Sequence, residues 1–378
     1  MKSTINAIFI ILCCCVCFNS HEVLGQSTKF HKIQQYLDKA TEANLTGVTV
    51  YIESAKYGKW IGTSGYSNLE QKTTLKTDDI FAIGSISKMY CAVAVLKLVD
   101  EGKLKLEDKI SRYLSEEIIS NSPNAEDVTI RQLLQHTSGF VNYNKDPELN
   151  DLYLTGNLKL DTVSHIEALR RYFFGKPALS EPGTEYHYSS TNYLLLTMIM
   201  DQILPDGHEK YFRDMTDALS LTKTWYKETP PKMVQHYGDL NLDASSENLT
   251  IQTLETTNWY SGDDGHYASV EDAVHFIQAL LVDKKILSES SLKEMKTGND
   301  PKNPDYGLGL MIDTGFPYGI LYGHSGRGIG MTTDLYYFPR QEMTIAIFSN
   351  SGLRSASKSF AEAFYKMRKK IMLKLFLF

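Results

Sequence analysis

The sequence predicts an α+β fold: an antiparallel sheet flanked by N- and C-terminal helices, with an inserted, mostly helical subdomain. Three observations predict it. Segments of strand character gather at the two ends of the 378-residue chain. Between them, apolar residues recur at helical spacing. Each end also carries an amphipathic helical pattern, which needs a sheet face to cover its apolar stripe. One domain is expected over 26–378, its sheet part at about 26–80 and 265–378 and its helical part at about 81–264.

Composition narrows the class. Hydrophobic residues make up 42% and charged residues 22%, ordinary values for a globular protein. The formal net charge of -6 speaks against a nucleic-acid surface, which needs clustered Lys and Arg. Four of the five cysteines (Cys13, Cys14, Cys15 and Cys17) fall in an apolar run from Ile5 to Phe18 that follows Lys2. That run is short for a bilayer span and reads as a secretory signal peptide over 1–25, with a mature start near Gln26. The residues before Cys13 are bulky, which disfavours a lipoprotein signal. The expected product is exported, periplasmic or secreted, and holds one cysteine, Cys91, and no internal disulfide.

In chain order, Phe30, Ile33, Tyr36 and Leu37 sit at helical spacing within Lys29–Thr41. Gly47–Ser54 and Lys59–Ser64 read as a hairpin around Ala55–Gly58. The run from Ser85 to Val99 is apolar nearly all round, the mark of a buried helix, and Gly102 stops it. Thr129 caps a short helix ending near His136, which Gly139 breaks; His136 is expected to be structural, bonding to loop backbone. Asn142–Leu160 reads as an irregular loop, and Thr162–Phe174 as an amphipathic helix. Pro182-Gly183 marks a turn before Tyr186 and Tyr188, and a buried helix begins at Thr191. Ser269-Val270-Glu271-Asp272 is a capping sequence for the helix to Leu281. Strands follow at Tyr306–Asp313, Ile320–Gly326, Met331–Phe338 and Thr344–Phe348, and a last helix from about Ser355 places Phe360, Phe364, Met367 and Ile371 on one stripe.

The chemistry is concentrated in Ser85-Ile86-Ser87-Lys88. Three residues is nearly one helical turn, so Ser85 and Lys88 share a face. A hydroxyl becomes a useful nucleophile when a neighbouring base takes its proton. A lysine in a dry setting can serve, because desolvation disfavours the ammonium form. The helix N-terminus offers N–H groups to a developing oxyanion.

Ser85-Ile86-Ser87-Lys88, Leu134-Gln135-His136-Thr137-Ser138-Gly139, Tyr188-Ser189-Ser190 and Gly323-His324-Ser325-Gly326 occur in that order. Together they resemble the penicillin-recognising serine hydrolases, in the branch of class C β-lactamases, D-alanyl-D-alanine carboxypeptidases and related serine esterases. The resemblance covers nearly all of the chain beyond residue 26 and implies a β-lactamase/transpeptidase-like fold. It implies Ser85 as acyl-accepting nucleophile, Lys88 as base or proton shuttle, and Tyr188 as proton carrier to the leaving group. Ser190, His324, Gly326 and Arg327 would bind substrate, with the backbone N–H groups of Ser85 and Arg327 as the oxyanion hole. A cationic His324 would favour a terminal carboxylate, and Gly326 would let substrate backbone approach. Ser190 stands where Asn is usual and His324 where these β-lactamases carry Lys; both departures weigh against an efficient β-lactamase.

Lys296-Thr297-Gly298 spells the late motif literally, but it follows a helical stretch and precedes a Pro-rich one, so His324 is preferred. No His-Glu-x-x-His is present to hold zinc, and Arg327 occupies the second glycine of a nucleophile elbow. No cofactor and no metal are expected. The acyl donor stays open among a D-Ala-D-Ala-type peptide, an ester and a lactam. A non-catalytic peptidoglycan or penicillin binder is the rival of another class. Export would bring association with the cell wall, and oligomeric state is not set by the sequence.

Overall fold

The computed structural model describes residues 28–154, 163–298, 305–353 and 358–377. The segment read as a signal peptide lies outside them. The elements in order are α1 (28–42), β1 (Gly47–Ser54), β2 (Gly58–Asn68), β3 (Thr73–Thr74), β4 (Ile80–Ala82), α2 (Ser87–Asp100), α3 (Glu116–Asn121), α4 (Ile130–Leu134), α5 (Pro147–Leu154), α6 (His165–Tyr172), α7 (Ser190–Ile203) and α8 (Gly207–Ala218). Then come β5 (Thr224–Tyr226), β6 (Tyr237–Gly238), β7 (Glu247–Asn248), α9 (Thr250–Trp259), β8 (His266–Ser269), α10 (Val270–Leu281), α11 (Glu289–Met295), β9 (Met311–Asp313), β10 (Leu321–Arg327), β11 (Thr332–Phe338), β12 (Met343–Ser349) and α12 (Lys358–Phe376).

The two ends of the chain share one antiparallel sheet in the order β3-β2-β1-β12-β11-β10-β9. The join is β1 against β12, with Val50 opposite Ile347. Side chains alternate across a strand, so each central strand feeds two cores. On β1, Val48, Val50 and Ile52 turn to one face, where Ile33 and Leu37 of α1 and Phe364, Met367 and Ile371 of α12 cover them. Tyr51 turns to the other, into the larger core built on α2 and α7. Being covered on both faces is why β1 and β12 are buried along nearly their whole lengths.

Local signals account for several helix ends. Thr129 and Gln132 form a reciprocal capping box on α4, and Ser164 and Glu167 form another on α6. Ser269 Oγ accepts the Asp272 N–H at the start of α10.

The sequence reading needs four corrections here. The irregular loop expected at Asn142–Leu160 contains a 3-10 turn at Tyr143–Lys145 and α5; residues 155–160 lie outside the description. The strand expected at Tyr306–Asp313 is only Met311–Asp313. A second sheet, β4-β8-β5, went unread because its strands are three or four residues long. Helices α8 and α9 also went unread.

Candidate active site

The turn ahead of α2 is built by close backbone contacts. Gly84 has φ +58, in the left-handed region that favours glycine, and opens a 3-10 turn carrying Ser85. Strand β10 crosses directly over this turn. A Cβ on Gly326 would stand 2.2 Å from the Ile83 carbonyl oxygen. Thr333 Oγ1 donates to that same oxygen at 2.8 Å. Gly326 is thus required by the protein's own backbone, a different close approach from the substrate contact expected of it.

Lys88, one turn into the helix, is fully buried. Its Nζ donates to Ser85 Oγ at 3.1 Å and to the Asp263 main-chain oxygen at 2.9 Å. The same Nζ lies 5.0 Å from the Tyr188 ring centroid and 5.6 Å from that of Tyr193.

Tyr188 is held by the loop that starts at His136. His136 has φ +60, an uncommon conformation for a side chain of its size, and uses both its backbone and its ring. Its carbonyl accepts the His187 N–H at 2.8 Å. Its Nδ1 accepts from the Ser189 N–H at 3.2 Å and from Asn192 Nδ2 at 3.1 Å. Ser138 Oγ closes the set on Asn192 Oδ1 at 2.7 Å. Burial, helped by the charge of Lys88, drives His136 well below its ordinary titration range, so it serves as a neutral acceptor.

A cleft of about 390 Å³ opens over Ser85. Of the residues singled out from the sequence, Ser85, Tyr188, Ser190 and Arg327 line it. Lys88 lies under its floor. Ser190 Oγ accepts from Asn144 Nδ2 at 3.0 Å, and the Ser190 N–H donates to Asn142 Oδ1 at 3.2 Å.

His324 does not line the cleft, contrary to expectation. Ser325 and Arg327 line the cleft, while His324 and Gly326 turn from the strand into the interior on the α2 side, His324 within reach of the Lys88 charge and Gly326 against Ile83. His324 is fully buried, with Nε2 3.1 Å from Tyr306 Oη and Nδ1 2.8 Å from its neighbour's carbonyl, that of Ser325. Those partners fit a ring that donates from Nδ1 and accepts at Nε2. Desolvation, reinforced by the Lys88 charge, pushes it down to about 3, so it is neutral rather than the expected cation.

Arg327 turns its guanidinium back onto the sheet. It donates to the Gly326 and Thr333 carbonyls at 2.8 and 2.7 Å and pairs with buried Asp334 at 2.7 Å. Asp334 also meets Arg368 of α12 at 2.9 Å. Strand β9 pairs with β10 only at residues 321–323, so 324–327 have no β9 partner on that side.

Several lining residues were missed. Asn142 and Asn144 follow the Gly139 break in what read as plain loop. Thr253, Thr256 and Tyr260 come from the unread helix α9. Asp263, whose carbonyl takes Lys88, sits in a Ser-Gly-Asp-Asp-Gly turn with no periodic signal.

Comparison with known proteins agrees with this architecture. A family model described as Beta-lactamase matches residues 34–364. Penicillin-binding protein 4* of Bacillus subtilis is 27% identical over 306 residues, covering 76% of this chain; the chain spans only 64% of that relative's length. Among solved structures, a D-stereospecific amidohydrolase from Streptomyces sp. superposes with a TM-score of 0.74 at 25% identity, covering 88% of this chain and 97% of that one. A D-amino acid amidase from Ochrobactrum anthropi SV3, complexed with D-phenylalanine, superposes with a TM-score of 0.76 at 20% identity, covering 92% and 99%, a likeness of fold. With a family match over most of its length and the fold of those relatives, the chain belongs to the Beta-lactamase family of serine hydrolases.

Proposed function

We propose that the protein is an exported serine hydrolase that works through an acyl-enzyme on Ser85, with D-Ala-D-Ala-type peptides as its acyl donors. The observation that carries this reading is the contact between Ser85 Oγ and a fully buried Lys88 Nζ, beneath a cleft that also holds Tyr188. Ser85 Oγ attacks the substrate carbonyl carbon and its proton passes to Lys88. The C–N bond then breaks, and Tyr188 relays a proton to the departing amine. Water reverses the path and frees the acid. The backbone N–H groups of Ser85 and Arg327 bind the oxyanion, since the Arg327 nitrogen lies beside the Gly84–Ser85 turn.

Support for a peptide donor comes from residues 324–327 of β10, which pair with β11 on one side and have no strand partner among the described residues on the other, an edge to which an extended substrate can add as a strand. A D-configured amide is a second reading, favoured by the D-stereospecific amidohydrolase of Streptomyces sp., 97% of whose chain is covered by this one. Ester and lactam turnover are the remaining alternatives.

The test is mass spectrometry after brief exposure to a fluorophosphonate or a penicillin. One adduct is expected, absent in Ser85→Ala; an adduct that survives the substitution defeats the assignment. A turnover panel of D-Ala-D-Ala peptide, D-amino acid amide, nitrophenyl ester and chromogenic lactam then ranks the donors. For export, the protein recovered from the cell envelope should begin near Gln26.

A further inference from the structure

Beside Lys88 lies a carboxyl group that the proposed reaction does not use. Asp263 is 2% exposed. Its Oδ1 has no hydrogen-bond partner among the described residues, while the Ser190 hydroxyl donates to the carboxyl. Its main-chain oxygen is the one that holds Lys88 Nζ, and the carboxyl, buried at the edge of the cleft, lies within reach of the Lys88 charge. Leaving a buried carboxylate oxygen without a donor is costly. An adjacent cation offsets that cost, and the reciprocal effect must exist: an ionised carboxylate favours the charged form of the amine.

The backbone here is fixed by groups other than the Asp263 side chain. Ser261 Oγ contacts Thr197 Oγ1 at 3.1 Å and His208 Nε2 at 3.0 Å, and His208 Nδ1 meets Asp201 at 2.7 Å. The Gly262 N–H donates to Tyr226 Oη at 3.1 Å. Changing the Asp263 side chain therefore leaves the means of placing its carbonyl against Lys88.

We infer that Asp263 acts through Lys88, its carboxylate holding a proton on that amine and so setting the pH above which Ser85 can be acylated. This deepens the proposed function and rests on it. The other titratable groups facing the pair do not supply such a charge. Burial keeps His136 and His324 neutral, and it raises Cys91 on α2 and Tyr193 on α7 away from ionisation. Tyr188 faces Lys88 with its ring. Asp264, next in sequence, lies at the cleft wall and is partly exposed. Burial also raises Asp263 itself, against the pull of Lys88, so its ionisation costs more than that of an ordinary aspartate and is tied to the ammonium.

The experiment is the pH dependence of fluorophosphonate labelling. In that step the Ser85 O–H proton goes to Lys88 Nζ, an O–P bond forms, and the P–F bond breaks with fluoride taking the electron pair. The step requires a proton-free amine. Removing a neighbouring anion releases the Lys88 proton at lower pH. Asp263→Asn and Asp263→Ser are therefore expected to move the acid limb of the labelling rate down by about one pH unit or more. Rates on that limb would rise about tenfold. A uniform drop at every pH, with the limb unmoved, would assign Asp263 a merely structural role and overturn the inference. So would failure of both variants to fold. Labelling that persists in Ser85→Ala would instead overturn the function reading beneath it.

Discussion

The two faces of the large sheet are built to different rules. Under α1 and α12 the core is a cluster of apolar side chains such as Ile33, Leu37, Val50, Ile347, Met367 and Ile371. On the opposite face, where β10 crosses the turn before α2, the interior holds Lys88, His136, Asp263 and His324, all buried. Two of their polar atoms, His136 Nε2 and Asp263 Oδ1, have no hydrogen-bond partner among the described residues. Each such atom costs about 1–3 kcal/mol. The terminal-helix face contributes stability, and the seam spends part of it on a reactive arrangement.

The sharpest break of this comparison is at the seam. Lys88→Ala and Tyr188→Phe are each expected to lower acylation by on the order of a hundredfold or more. If the two work as one proton-transfer unit, the double variant loses less than the product of the single losses. Fully multiplicative losses in single-turnover kinetics would show two separate roles. Thermal unfolding of Tyr188→Phe should show little loss of stability, because that change leaves the terminal-helix core untouched, whereas Lys88→Ala also removes the cation beside buried Asp263 and is expected to unfold earlier.

The converse change lies on the other face. Ile371 on α12 is fully buried in the apolar cluster, away from the cleft. Ile371→Ala leaves a cavity there and is expected to cost about 2–5 kcal/mol in denaturant unfolding. Acylation per folded molecule should stay near that of the unaltered protein. A variant that unfolds no earlier yet labels slowly would mean that the faces are coupled, through Arg368, Asp334 and Arg327.

The architecture was legible because its signals are long. The terminal helices, the hairpin β1–β2 and the buried runs of α2 and α7 each extend over seven residues or more of consistent period. The short sheet β4-β8-β5 was not legible, since three residues of alternation cannot be told from a loop. At the site, Ser85 and Lys88 were legible because one helical turn links them. His324 was expected to line the cleft and is instead buried behind it, on the side of Lys88. Alternation separates it from Ser325, but only tertiary pairing decides which side meets the cleft. Asp263 comes to Lys88 from 175 positions along the chain, a contact that local pattern cannot encode.

The smallest expected effects concern His324 and Lys296, and they sharpen where the seam ends. His324 is neutral in the folded protein, with its titration pushed from 6.5 to about 3. The unfolded chain therefore binds a proton at higher pH than the folded one does. Stability from keeping this ring neutral is fully present above about 6.5 and is lost as pH falls toward 3. His324→Gln removes that dependence, so its stability should fall less steeply over the acid range than that of the unaltered protein. Having no charge to lose near neutral pH, it should affect anionic peptide and neutral ester turnover to the same degree. Damage confined to the peptide would show a cationic His324 in the substrate complex. Lys296 caps the end of α11, partly exposed, with its Nζ 5.9 Å from the Tyr322 ring and outside the cleft lining. Lys296→Ala should stay within about 0.5 kcal/mol in stability and leave both turnovers unchanged. Loss of activity in Lys296→Ala beside a harmless His324→Gln would place the literal Lys-Thr-Gly in the reaction and remove β10 from it.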